Sequence, residues 1–159
     1  MHFTLHERSG YGGFVVAIVL AIVVETTAVH LMLAQHHAIL AGASFLLGLS
    51  SVVWFLRDYQ AIRRLPSELD GDQLHLRLGR RKELRVAHAD VRSLEALPAS
   101  GEPRGAPGYA RFTALGTPEL LLHLSRPTRL TETFRPPRDV TCLGVTLDDE
   151  TAFRRALGL

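Results

Sequence analysis

The chain has 159 residues, 47% of them hydrophobic, with a formal net charge of +2 and a single cysteine, Cys142. That balance excludes a disulfide-stapled scaffold and supplies neither the strong basic charge nor the stacking ladder of a nucleic-acid binder. The distribution is more informative than the totals, because 17 of the 18 basic and 14 of the 16 acidic residues lie from Arg57 onward.

Before that point come two apolar stretches. Residues 38–56 run for about 19 positions without a charge, close to the ~20 that a helix needs to cross a ~30 Å hydrocarbon core. Residues 14–24, continued through Leu31-Met32-Leu33, reach a similar length once Glu25 and His30 are tolerated, and only Gln35-His36-His37 separates the two. The pair reads as a membrane hairpin with spans of about 12–34 and 38–56, inside an N-terminal segment 1–60. Arg8 before an apolar run also imitates a secretion signal, yet cleavage near Ala34 would leave the second span in place. Arg8, Arg57, Arg63 and Arg64 flank the spans and the intervening turn has no Lys or Arg. Both termini are therefore expected on the cytoplasmic side, with Tyr11, Trp54 and Tyr59 at one interface.

Glu25 stands out inside the first span. A carboxyl at membrane depth is costly and must face protein or water. Helical spacing sets Ala17, Ala21, Glu25, Ala28 and Met32 along one stripe, a small-residue face suited to close packing. The second helix offers Ser44, Gly48 and Ser51 at about the matching depth, so a contact within the hairpin or with another membrane protein is the expected home for Glu25. The plainest role is a neutral carboxyl hydrogen-bonded to a serine or carbonyl; proton or ion handling is the bolder one. Glu25 and His30 are five residues apart and do not share a face, and His36 and His37 fall in the turn, so no metal or haem site is expected.

Residues 61–159 form a water-soluble domain of about 100 residues, enough for one modest core. Leu74, Leu76 and Leu78 alternate with His75 and Arg77, a strand with one buried face. A turn through Gly79-Arg80-Arg81-Lys82 leads to Leu84 and Val86, completing a hairpin. Asp70 and Asp72 around Gly71 are turn chemistry. Val91, Leu94 and Leu97 fit an irregular strand or a helical turn. Residues 98–108, rich in Pro and Gly, read as a surface loop. Strands are expected around Phe112, at Leu120-Leu122-Leu124 and at Leu143-Val145-Leu147, with residues 126–138 a long basic connection. Asp148 or Asp149 then caps a short helix that buries Phe153, Ala156 and Leu157. The expected architecture is a small antiparallel β-sandwich or partly open barrel closed by a C-terminal helix.

Two segments carry a family resemblance. The run Trp54-Phe55-Leu56-Arg57-Asp58-Tyr59-Gln60-Ala61, followed by Leu69-Asp70-Gly71-Asp72-Gln73-Leu74-His75-Leu76-Arg77-Leu78-Gly79, resembles small bacterial two-span membrane proteins without an assigned activity. Their ending, a strand leading into an Asp-Asp-x-x-Ala-Phe helix, is matched by residues 147–157. The soluble half resembles bacterial pleckstrin-homology-like domains attached to membrane spans. The resemblance implies a strongly bent antiparallel sheet with a helix over one opening.

For chemistry, Arg77, Arg80, Arg81, Lys82 and Arg85 gather around the first hairpin, and Arg126 and Arg129 decorate the later segment. Such clusters suit anionic headgroups, each cation near the surface being worth about 1 kcal/mol, although a solvated rim explains them as well. No phosphate loop, nucleophile elbow or thiol-imidazole pair is legible, and nothing marks Cys142 as activated. The sequence therefore predicts neither an enzyme nor a cofactor. It predicts a binding or assembly module with membrane lipids, a membrane-protein partner or a second copy as partners and no nucleic acid. The alternative is a small transporter or channel subunit using Glu25.

Overall fold

The structure, a computed structural model, describes residues 2–3 and 9–159. Arg8, one of the charges that orient the first span, lies outside the described residues. Two compact units are present: one is Gly12–Gln60, and the other joins the described residues up to Tyr11 with Ala61–Leu159.

The helical unit consists of α1 (Tyr11–Ala34) and α2 (Ala38–Arg64). Both are long and apolar enough to cross a membrane. Only 6% of each apolar window is buried, whereas the core helix of a soluble protein is mostly covered. The turn between them is closed by His36 N–H and His37 N–H donating to Leu33 O at 3.2 and 2.7 Å. α2 runs eight residues past the end of the apolar stretch. No breaker intervenes before Pro66, and Arg63 and Arg64 in its last turn complement the negative end of the helix dipole.

The helices meet along a seam set by small residues. A Cβ on Gly48 would overlap the Thr26 side chain, so glycine is what lets α1 and α2 approach there. One turn and more away, His30 Nδ1 lies 3.1 Å from Ala41 O, and the His30 and Phe45 rings are 5.7 Å apart. Near the other end, Gly12 faces the Tyr59 hydroxyl.

Among the described residues, the second unit is an open, mostly antiparallel sheet of eight strands: β1 (His2–Phe3), β2 (Ser67–Asp70), β3 (Gln73–Leu78), β4 (Lys82–Ala87), β5 (Val91–Ala96), β6 (Tyr109–Phe112), β7 (Leu120–Glu132) and β8 (Arg135–Val145). Their order is β1-β2-β3-β4-β7-β8-β6, with β5 also on β7. β7 is long enough to serve two partners. Its first half pairs with β5 from Leu120 to Leu124, and its second half pairs with β4 through Leu84↔Leu130 and Lys82↔Glu132. The period-two pattern fills one face: Leu74, Leu76, Leu78, Leu84, Val86, Leu122, Leu130, Leu143 and Val145 are all buried, each worth about 1.5–3 kcal/mol on transfer from water.

Two sequence expectations are corrected. Residues 126–138, expected as a basic connection, instead form the turn-proximal half of the β7–β8 hairpin. Pro127, Pro136 and Pro137 lie within these strands although proline cannot donate to a ladder. They are accommodated at exposed positions, where the pairing register shifts between His123 and Thr128 and again between Leu130 and Glu132. The sheet is also not wholly antiparallel, since β6 runs parallel to β8, Tyr109 against Cys142 and Phe112 against Val145. The 98–108 segment makes this possible by carrying the chain back to the same end of the sheet. β2, which the sequence did not separate from the turn at Gly71, and β1, which it did not anticipate, complete one edge.

The chain ends in α3 (Glu150–Leu157). Asp149 Oδ1 accepts from Ala152 N–H at 2.8 Å, and Gly158 closes the helix in the left-handed region at φ 64°. Phe153 and Leu157 are buried, with the Phe153 ring edge-on to Phe3 at 5.0 Å, while Ala156 is half-buried.

Candidate functional site

Each unit places a different part of the predicted chemistry. On α1, Ala17, Ala21, Glu25, Ala28 and Met32 are all exposed. Among the described residues no hydrogen bond or ion pair reaches Glu25. The three residues expected opposite it are engaged otherwise: Ser44 Oγ donates to Ala41 O at 2.9 Å, Ser51 Oγ donates to Leu47 O at 2.9 Å, and Gly48 packs on Thr26. Glu25 and its small-residue neighbours are therefore a face of α1 separate from the hairpin seam.

The basic residues of the sheet divide into separate groups. Arg77 and Arg85 alternate outward on β3 and β4 and converge on Glu83, whose Oε1 lies 2.7 Å from His75 Nε2, 3.1 Å from Arg85 and 3.9 Å from Arg77. The His75 hydrogen bond, ahead of the arginines, holds the Glu83 carboxyl below its ordinary range. Arg126 is 3.5 Å from Asp90. Arg129 is exposed opposite Asp139. Arg80 is exposed at the β3–β4 turn, whereas Arg81 and Lys82 turn into a cleft of about 560 Å³ that also holds Tyr109, Arg111 and Arg138.

This cleft arises where the inward face of the sheet runs out of leucines. Lys82 has the same parity as Leu84 and Val86, and Glu132 the same parity as Leu130, so both point inward as cross-strand partners, with Lys82 Nζ 3.0 Å from Glu132 Oε1. Lys82 also donates to Arg111 O at 2.6 Å. Arg138 Nε stands 3.4 Å from Glu132 Oε2.

A second carboxylate fixes the wall. Glu102, with a side chain only 4% exposed, accepts from Arg111 Nε at 2.8 Å, from the Tyr109 hydroxyl at 2.7 Å and from Arg104 Nε at 2.7 Å. The Arg111 guanidinium, with help from Arg104 and Tyr109, holds the Glu102 carboxyl well below the usual carboxylate range. Desolvation first, and the adjacent Glu102 second, push the Tyr109 phenol well above the usual tyrosine range. Gly144 permits this arrangement, because a Cβ there would collide with the Tyr109 hydroxyl and come within 2.7 Å of the Pro118 ring.

Sequence reasoning did not single out Glu102, Tyr109, Arg111 or Glu132. The last carried a readable signal, a charge at an inward position of an alternating strand. Arg111 and Glu102 are nine residues apart across a Pro- and Gly-rich loop, which no periodicity connects. Cys142 is half-buried, and desolvation raises its thiol above the ordinary cysteine value. Among the described residues, no three His, Cys, Asp or Glu side chains converge as a metal-ion site. Compared with known proteins, the chain matches no family model, no curated protein and no solved structure.

Proposed function

We propose that this chain is a non-enzymatic, membrane-anchored assembly module. In this reading the hairpin sits in a bacterial inner membrane with both termini cytoplasmic. The Ala17/Ala21/Glu25 face packs against a membrane protein or a second copy. The β unit, read as a pleckstrin-homology-like domain, engages a protein or the anionic leaflet. The observation that carries the reading is the exposure of Glu25 in the middle of an apolar helix, with Ser44, Gly48 and Ser51 occupied elsewhere. A lone acidic side chain at the centre of a span costs about 2.5–3.5 kcal/mol or more. Burying it against another protein, where it finds a donor and alanines allow close approach, removes that cost.

The test is to isolate the protein at native expression in native nanodiscs and identify what co-purifies by mass spectrometry. A stoichiometric partner, or a second copy, is expected with the wild type and with Glu25→Gln, which keeps shape and hydrogen bonding. Glu25→Leu should reduce it about tenfold, the equivalent of one intramembrane hydrogen bond. Undiminished assembly in Glu25→Leu would sink the proposal. Loss of proton flux in Glu25→Gln with assembly intact would instead favour a transporter subunit.

A further inference from the structure

The cleft at the end of the sheet has two unmet requirements. Its lining carries six cations, and among the described residues the carboxylates that reach them are Glu132 in the lining and Glu102 behind it. Arg104 and Arg111 are committed to Glu102, and Lys82 to Glu132, and Arg81 donates to the Tyr11 hydroxyl. Arg135 is exposed, and Arg138 keeps only a long contact with Glu132 and a 3.4 Å hydrogen bond to Tyr109 O. Arg135 and Arg138 are thus the cations of this concave surface with capacity for a ligand.

The second requirement has the opposite sense. Glu132 is buried, its side chain 7% exposed, and Oε2 receives no hydrogen bond among the described residues, the Arg138 approach being an ion-pair contact only. A buried carboxylate oxygen without a hydrogen bond costs about 1–3 kcal/mol or more, and a ligand O–H removes that cost. Simple anions such as sulfate satisfy the arginines but bring no donor. A ligand that answers both needs carries a multiply accepting anionic group and a neighbouring hydroxyl. The volume, about 560 Å³, lies within the ~300–1,000 Å³ range of small-molecule sites. At the rim stands Phe134, 78% exposed, offering an apolar surface to the rest of the ligand.

The geometry points to this cleft as a binding site for a phosphorylated polyol, the phosphate held by Arg135 and Arg138 and a hydroxyl donated to Glu132 Oε2. Guanidinium forks match phosphate oxygens in pairs. The same chemistry is presented by a free glycerol or sugar phosphate and by a glycerophospholipid headgroup. The site does not depend on the Glu25 face, so a Glu25→Leu chain that has lost assembly is expected to keep it.

The full chain in a neutral detergent is titrated with glycerol 3-phosphate and, separately, with methyl phosphate, which has no hydroxyl as the dianion, by calorimetry. In parallel it is reconstituted into phosphatidylcholine nanodiscs with and without phosphatidylglycerol, and retained lipid is quantified after purification. Saturable binding of glycerol 3-phosphate is expected, at least about tenfold tighter than methyl phosphate, the worth of one charge-assisted hydrogen bond. Arg135→Gln, at an exposed position that the fold does not use, should weaken it severalfold, and Glu132→Gln should erase the preference for the polyol. Binding of glycerol 3-phosphate without selective lipid retention identifies a free ligand. Enrichment of phosphatidylglycerol that Arg135→Gln abolishes identifies a headgroup. Equal affinity for the two phosphates, or no saturation by about 10 mM in either arm together with no lipid enrichment, overturns the proposal.

Discussion

Glu102 is where charge and fold are most tightly linked. Its carboxyl is held below the ordinary value of 4.5 by Arg111 first, then Arg104 and Tyr109. A carboxyl whose pKa is depressed on folding adds stability that is complete above its unfolded value. That stability disappears as pH falls through the folded value, because the unfolded chain binds the proton first. The unfolding midpoint of the full chain in detergent should therefore decline from about pH 4.5 downward. Glu102→Gln should be less stable at pH 7 by about 1.5–3 kcal/mol, the range for hydrogen bonds to charged groups. That gap should close in acid, where the wild-type carboxyl is itself neutral. A gap independent of pH in denaturant titrations would mean that Glu102 acts through shape alone. Glu83 shifts in the same direction on account of His75, but it is 44% exposed and solvent weakens its share.

Among elements, the α1–α2 seam gives the sharpest expectation, because one missing side chain sets the spacing. Any Cβ at Gly48 must displace Thr26. Gly48→Val should destabilise the helix pair by about 1–3 kcal/mol, the cost of overpacking. Thr26→Ala in the same chain should return about 1 kcal/mol or more, since residues in contact do not add. A double-mutant cycle on unfolding in mixed micelles measures that coupling, and strictly additive effects would place the two residues apart. The seam also shows the limits of sequence reading. The 3.6-residue period groups Glu25 with Ala17 and Ala21 on one stripe, but it carries no information on which stripe of α1 meets α2. That choice is made by the Gly48/Thr26 fit and by His30 against Ala41. On the sheet, alternation identified the leucine face of β3 and β4, and Asp149 was legible as a cap. The β7–β8 hairpin was obscured by its own prolines, and the Glu102 cluster by contacts that span a loop. Lys82 and Glu132, inward charges at strand ends, were readable in principle and mark the cleft.

At the scale of the whole molecule, the proposed two-span topology can be tested independently of any activity. If α1 and α2 both span, the turn at His36 and His37 and the β unit must lie on opposite sides, because a helical hairpin returns the chain to the side from which it entered. Arg57, Arg63 and Arg64 follow the apolar part of α2 and the turn has no Lys or Arg, so the proposed topology puts the β unit inside. The native Cys142 is half-buried with its thiol raised by desolvation, which makes it a slow reactant, and Cys142→Ser removes it altogether. In that background, His37→Cys should react with an impermeant maleimide added to intact cells, and Ser100→Cys only after permeabilisation. Both positions are exposed, one in the helix turn and one in the loop before β6, so neither substitution disturbs a core. Labelling of both from the same side would overturn the two-span reading. Reversed sidedness would keep the spans but place the β unit outside, so that the Glu102 and Glu132 clusters would face the extracytoplasmic pH.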